Sequence, residues 1–215
     1  MAGRSYHHGD LRSALLSAAM ESLQTGEPFS MRAVARRAHV SPTAPYRHFA
    51  SRQALDAAVA VEGFRELRAD LAAALAGVPE DSPAATVVEV LAMAYIGFAL
   101  RRPAVFRLMF GNECDHTDDE RVQAAGRLHT LLEGVIARLF PQADVPALST
   151  ALWATAHGLA FLHLDGKLRS EPASEVGDRV RSSVRALFAM PVPPPAPALT
   201  RCPVPVPSSG KEFPS

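Results

Sequence analysis

The chain has 215 residues, 48% of them hydrophobic, and its 22 Lys and Arg balance 22 Asp and Glu to a formal net charge of zero. That balance excludes a uniformly basic nucleic-acid coat, and the two cysteines, Cys114 and Cys202, exclude a disulfide framework or a cysteine-rich zinc site. Met1 to Asp10 lacks the apolar stretch of a signal peptide, and the longest unbroken apolar run, Val90 to Leu100, is too short for a bilayer, so a soluble cytoplasmic protein with no membrane partner is expected.

Leu11, Leu15, Ala18, Ala19 and Leu23 recur at helical spacing and predict a first helix ending at Gly26. Ser30 is a ready N-cap for a second helix over Met31 to Ala38, which puts Val34, Ala35 and Ala38 on one face and Arg32, Arg36 and Arg37 elsewhere. His39, Val40 and Ser41 break the pattern. Ser41 can then cap a third helix whose first position is Pro42, favoured there because that N–H has no intrahelical partner. In this third segment only Pro45 and Phe49 look inward, whereas Thr43, Tyr46, Arg47 and His48 are polar. Two short helices about a sharp break, the second too polar for a core element, have the form of a helix-turn-helix. Such a second helix fits the major groove of double-stranded DNA, with its first residues at base edges. Thr43 and Ala44 are small enough for close approach and suit a thymine methyl.

Charge follows the same division. Residues 1–55 hold Arg4, Arg12, Arg32, Arg36, Arg37, Arg47 and Arg52 against Asp10, Glu21 and Glu27, seven minus three or +4, and the remainder carries −4. One basic face and a separate body that does not touch DNA are implied.

Three strings carry a resemblance: Tyr6-His7-His8-Gly9-Asp10-Leu11, Phe29-Ser30-Met31-Arg32-Ala33-Val34-Ala35, and Val40-Ser41-Pro42-Thr43-Ala44-Pro45-Tyr46-Arg47-His48-Phe49 with Ser51-Arg52 after it. Over the first quarter of the chain these residues resemble the TetR-like one-component transcriptional regulators. The resemblance implies that Arg32, Pro42, Thr43, Ala44 and Arg47 lie near bases, and Ser30, Tyr46, His48 and Arg52 near phosphates. Two positions depart from the common pattern, His39 where a turn glycine is usual and Pro45 where a leucine is usual. Histidine tolerates left-handed backbone better than most residues, and Pro45 forfeits one early hydrogen bond, making the helix start irregular.

From Ser51 a longer helix, with Leu55, Val59, Phe64, Leu67, Leu71 and Leu75 on its apolar side, runs to Gly77 and joins head to body. Pro83 to Leu100, Ala104 to Phe110, Asp119 to Phe140, Val145 to Lys167 and Glu175 to Met190 read as five more helices, with no alternating strand pattern in competition. The fold class expected is all-α with about nine helices, divided as a helix-turn-helix domain over 1–55 and a helical effector-binding and dimerisation domain over 56–190. Nine of the last 25 residues are proline, so 191–215 reads as a disordered tail.

Tyr95, Phe98, Phe106, Met109, Phe110, Trp153 and His157 fall on segments expected to be neighbours. Such a set is either ordinary core or the wall of an apolar pocket for a small-molecule effector. The string Trp153-Ala154-Thr155-Ala156-His157-Gly158 puts Trp and His four apart on one face. With Pro103 to Gly111 it resembles a TetR-like subfamily whose C-terminal domain is named for its Trp, His and Gly. Leu148, Leu152, Leu159, Leu162 and Leu164, with Val176, Val180, Val184, Leu187 and Phe188, offer more apolar face than one small domain hides, which a homodimer could bury as a four-helix bundle. A two-fold dimer demands an inverted-repeat operator with half-sites about 34–36 Å apart. An enzyme using His157, His163, Asp165 or Cys114-Asp115-His116 is the rival reading, but the histidines are six apart and no metal or nucleophile motif appears. No cofactor or metal is expected. The function implied is a ligand-released repressor, with an activator or a ligand-independent regulator as alternatives.

Overall fold

The computed structural model describes residues 8–26, 29–111 and 119–189. Among them are α1 (His8–Thr25), α2 (Met31–Arg37), a 3-10 turn (Ala44–Arg47), α3 (Arg52–Ala76), α4 (Ala84–Arg101), α5 (Pro103–Gly111), α6 (Asp119–Leu139), α7 (Val145–Leu164) and α8 (Ala173–Ala189), with no strand. The all-α class holds, as eight α-helices and one 3-10 turn among the described residues. The Pro-rich segment 191–215, His7 and the Cys114-Asp115-His116 string lie outside the described residues.

The head is set by its caps. Ser30 Oγ accepts from the Ala33 N–H at 3.2 Å and starts α2; Ser51 Oγ accepts from the Ala54 N–H at 3.1 Å and starts α3. His39 sits at φ +54° and ends α2, with the Val40 N–H donating to the Ala35 carbonyl at 3.0 Å and the His39 N–H to the Arg36 carbonyl at 3.1 Å. This is the Schellman arrangement that usually takes glycine.

The third helix of the head departs from expectation. No α-helix starts at Pro42: the 3-10 turn begins after Thr43, and the Ser41 hydroxyl lies 3.3 Å from that of Thr43 instead of capping a helix. Pro45 is the physical reason, since it has no N–H and its ring clashes with the carbonyl four residues back, where an α-helix would continue. The chain closes with i→i+3 bonds instead, Ala44 N–H to Ser41 C=O at 3.0 Å and His48 N–H to Pro45 C=O at 3.0 Å. Pro45 and Phe49 are buried, as their spacing foretold.

Helix α3, 25 residues long, spans about 37 Å and crosses the expected 55/56 boundary without a break. Its Leu55 is buried under the head, while Leu67 and Leu71 are buried in the body. One continuous core runs from Leu15 through Val34 and Leu55 to Phe98, Phe106 and Val180. Gly63 marks the closest crossing, because a Cβ there would stand 2.5 Å from Met109 Sδ and 2.8 Å from Val105 Cγ1. α4 and α7 are long and apolar enough to cross a bilayer by length and composition; α4 instead forms the centre of the body, packed on α3, α7 and α8.

Candidate functional site

The head presents one polar surface. Pro42, Thr43, Tyr46 and Arg47 are exposed, Ala44 and His48 are half-buried, and Ser30, Met31, Arg32, Tyr46 and Arg52 line a shallow cleft of about 360 Å³. Arg52 is fixed from three sides. Its Nε bonds Asp56 Oδ1 at 2.7 Å, its Nη1 donates to the Phe29 carbonyl, and its guanidinium lies 3.9 Å from the Phe29 ring centroid. A cation held in this way by packing loses little freedom when it meets a phosphate. Beneath the turn, Arg12 stacks on Phe49 at 5.2 Å.

The body holds two neighbouring, partly open cavities, which we term inner and outer. The inner one, about 50 Å³, is walled by Leu71, Val88, Leu91, Tyr95, Ile136, Ser149 and Leu152 among others. The outer one, about 380 Å³, is walled by Phe64, Met109, Phe110, Leu128, His129 and others, and Leu132 and Trp153 belong to both. Of the seven residues assigned to a pocket from sequence, Tyr95, Met109, Phe110 and Trp153 line these spaces. Phe98 and Phe106 do not: both are fully buried, with their tilted rings 6.4 Å apart between centroids, which places them in the core. His157 also stands outside both linings, boxed by Phe106, Phe110 and Phe161, whose ring centroids lie 4.6–5.6 Å away.

A hydrogen-bond chain orders this wall. Trp153 Nε1 donates to Tyr95 Oη at 3.1 Å, and Tyr95 Oη lies 2.8 Å from His157 Nδ1. In the second bond the donor is the Tyr95 hydroxyl or the His157 Nδ1–H according to the imidazole tautomer, and the chain Trp153–Tyr95–His157 is closed in either case. Burial pushes the His157 pKa down and the Tyr95 pKa up, so both are uncharged near neutrality. Sequence reasoning missed Ser149, although it lies on the same helical face as Trp153 and Ala156, four and seven residues on.

Of the residues in the rival enzyme reading, the described ones, His157, His163 and Asp165, make no hydrogen bond to one another. Asp165 caps α7 and pairs with Arg107 at 2.5 Å, and His163 is 2% exposed. No group of three metal-binding side chains occurs among the described residues. The expected dimer face is also redistributed. Val176, Val180 and Val184 are buried within the chain, where α8 packs on α4, and Leu162, Leu187 and Phe188 remain exposed.

A family model described as "Bacterial regulatory proteins, tetR family" matches residues 15–59, and one described as "Tetracyclin repressor-like, C-terminal domain" matches residues 88–187. Among solved structures, a protein with unknown function from Rhodococcus sp. is 32% identical, with a TM-score of 0.73 over 87% of this chain and 100% of its own. A TetR-like transcriptional regulator from Rhodococcus sp. is 19% identical, with a TM-score of 0.60 over 86% of this chain and 99% of its own. The TetR family transcriptional regulator PfmR from Thermus thermophilus is 16% identical, with a TM-score of 0.57 over 82% of this chain and 94% of its own. No curated protein matches in sequence.

Proposed function

Because the chain belongs to the TetR family of bacterial regulatory proteins, a DNA-binding regulator of transcription, we propose that it is a cytoplasmic dimeric repressor released from an inverted-repeat operator by a small-molecule effector. The observation that carries this is α3. One unbroken helix has its first turn in the reading head, at Arg52, and its later turns against the cavities, at Phe64 and Leu71. A molecule that widens the cavity displaces α3, and with it the spacing of two heads. A coupling of about 1–3 kcal/mol would lower operator affinity roughly 5- to 150-fold. The effector must bind the DNA-incompetent spacing more tightly, since equal affinity for both shifts nothing.

In this reading Arg32, Pro42, Thr43, Ala44 and Arg47 approach base edges, and Ser30, Tyr46, His48 and Arg52 approach phosphates. The Trp153 to Gly158 string keeps its likeness to the subfamily named for those residues. The head occupies 1–55 and the effector body 56–190. Genomic footprinting of the purified full chain tests the proposal. The expected result is protection of an inverted repeat with one dimer per site, weakened and less selective when Arg32 becomes Ala. Protection of sites without symmetry, or by a monomer, overturns it.

A further inference from the structure

We propose that the inner cavity takes a neutral, largely apolar molecule whose single hydrogen-bond acceptor, an alcohol, ketone or ester oxygen, docks on the Ser149 hydroxyl. The inference rests on the reading of the body as an effector domain and names the chemistry of that same site.

Ser149 is 3% exposed, and its Oγ has no hydrogen-bond partner. A serine inside a helix ordinarily bonds the carbonyl four residues back. Its neighbours on α7 do so, Thr150 to the Pro146 carbonyl at 2.8 Å and Thr155 to the Ala151 carbonyl at 2.9 Å. Ser149 instead lines the cavity with its donor unused. Leaving a buried hydroxyl unmatched is unfavourable, and an acceptor brought by a ligand removes that penalty.

The other polar group in the wall is committed. Tyr95 Oη is held by Trp153 on one side and His157 on the other. Apart from the Trp153 indole the rest of the inner lining is aliphatic, with no charged side chain. A carboxylate or an ammonium entering here would surrender its hydration with no counter-charge to meet. The outer cavity adds only His129, which faces Glu133 at 3.2 Å. At about 50 Å³ the inner space suits the polar end of a ligand, and the apolar remainder fits the outer cavity between Phe64, Met109 and Phe110. Trp153 borders both, so a ligand spanning them touches the chain's one tryptophan.

The test uses the full chain, with n-decanol, decan-2-one and decanoate as probes near neutral pH, followed by Trp153 fluorescence and thermal melting. The alcohol and the ketone should bind comparably, and decanoate roughly a hundredfold more weakly, because its charge goes unpaired. Ser149→Ala should weaken the first two by roughly 3- to 10-fold, while its unliganded melting temperature stays the same or rises. Decanoate binding as tightly as n-decanol overturns the proposal. So does full affinity in Ser149→Ala, a lowered melting temperature in that variant without ligand, or no binding of any probe. Operator release is scored separately. Binding that depends on Ser149 but releases no DNA supports the pocket chemistry and sinks only the effector reading.

Discussion

The Tyr95 hydroxyl stands 2.8 Å from Nδ1 of His157, 62 residues further along the chain. The imidazole is half-buried, and burial lowers the His157 pKa below its ordinary value of 6.5. Unfolding therefore takes up a proton between the folded pKa and 6.5, so stability is intact above that window and is lost as pH falls through it. His163, lowered by burial and by Arg179, adds in the same direction. Melting temperature should fall between about pH 7.5 and about pH 5.5, and His157→Asn should remove part of that fall. A pH-independent melting curve in the wild type would contradict the assignment.

Gly63 sets how closely α3 lies on α5. A Cβ would meet Met109 Sδ at 2.5 Å and Val105 Cγ1 at 2.8 Å, and only the methionine end can swing aside. Gly63→Ala should cost about 1–3 kcal/mol in urea denaturation, the range of an overpacked core. In combination with Val105→Ala its cost should shrink, because the two side chains compete for one space.

On the head, Arg32→Ala or Thr43→Ala should relax base preference, with about 1–3 kcal/mol lost on the best operator for Arg32. Arg52→Ala should weaken all sequences alike and reduce the salt slope by about one. Asp56→Ala separates phosphate contact from positioning: it frees the Arg52 Nε yet leaves the charge in place. Operator band shifts at several salt concentrations decide between them.

Much of this was legible in the chain because local rules set it. Ser30 and Ser51 cap where capping chemistry places them, and the bounds of α4 to α8 follow Gly, Pro and apolar period to within a few residues. The left-handed His39 was legible for the same reason. The third helix of the head was not, because Ser41 and Pro42 give a strong start signal that Pro45, three residues on, overrides. Pocket membership was only half legible. Periodicity tells that Phe98 and Phe106 face inward, but whether a neighbouring helix fills the space beyond them is a tertiary matter. The valines of α8 were misassigned for that reason too, since helical period cannot say whether a stripe meets α4 or a second chain.

Arg102, at the end of α4, ties the two parts together. Its Nη1 donates to Gln24 Oε1 at 2.6 Å on α1, and its Nε lies 3.3 Å from Glu66 Oε2 on α3. These contacts are partly exposed and contribute little to stability. Their position makes them a link between body and head, so Arg102→Ala should leave operator affinity without effector nearly unchanged and alter coupling by about 0.5–2 kcal/mol. The measurement is the effector concentration that releases half the DNA, with and without the substitution.

Helix α7 places Ala147, Ala151, Ala154, Gly158 and Leu162 along one exposed stripe, and Leu187 of α8 is exposed as well. The opposite face of α7 packs on the core through Leu148, Leu152, Leu159 and Phe161, so this stripe is the part of the helix left for the second copy of the dimeric reading to cover. Small residues at this spacing let a second helix approach closely, and a two-fold copy offers the same stripe. A Cβ at Gly158 would meet nothing within 4 Å, so Gly158→Leu is accommodated in one chain but blocks that approach. Sedimentation should show a monomer with unchanged helical content, and operator affinity should collapse, because two linked heads bind far more tightly than one. A Gly158→Leu protein that stays dimeric would move the interface off α7 while leaving the head intact, and Leu162→Arg would then be expected to be equally silent.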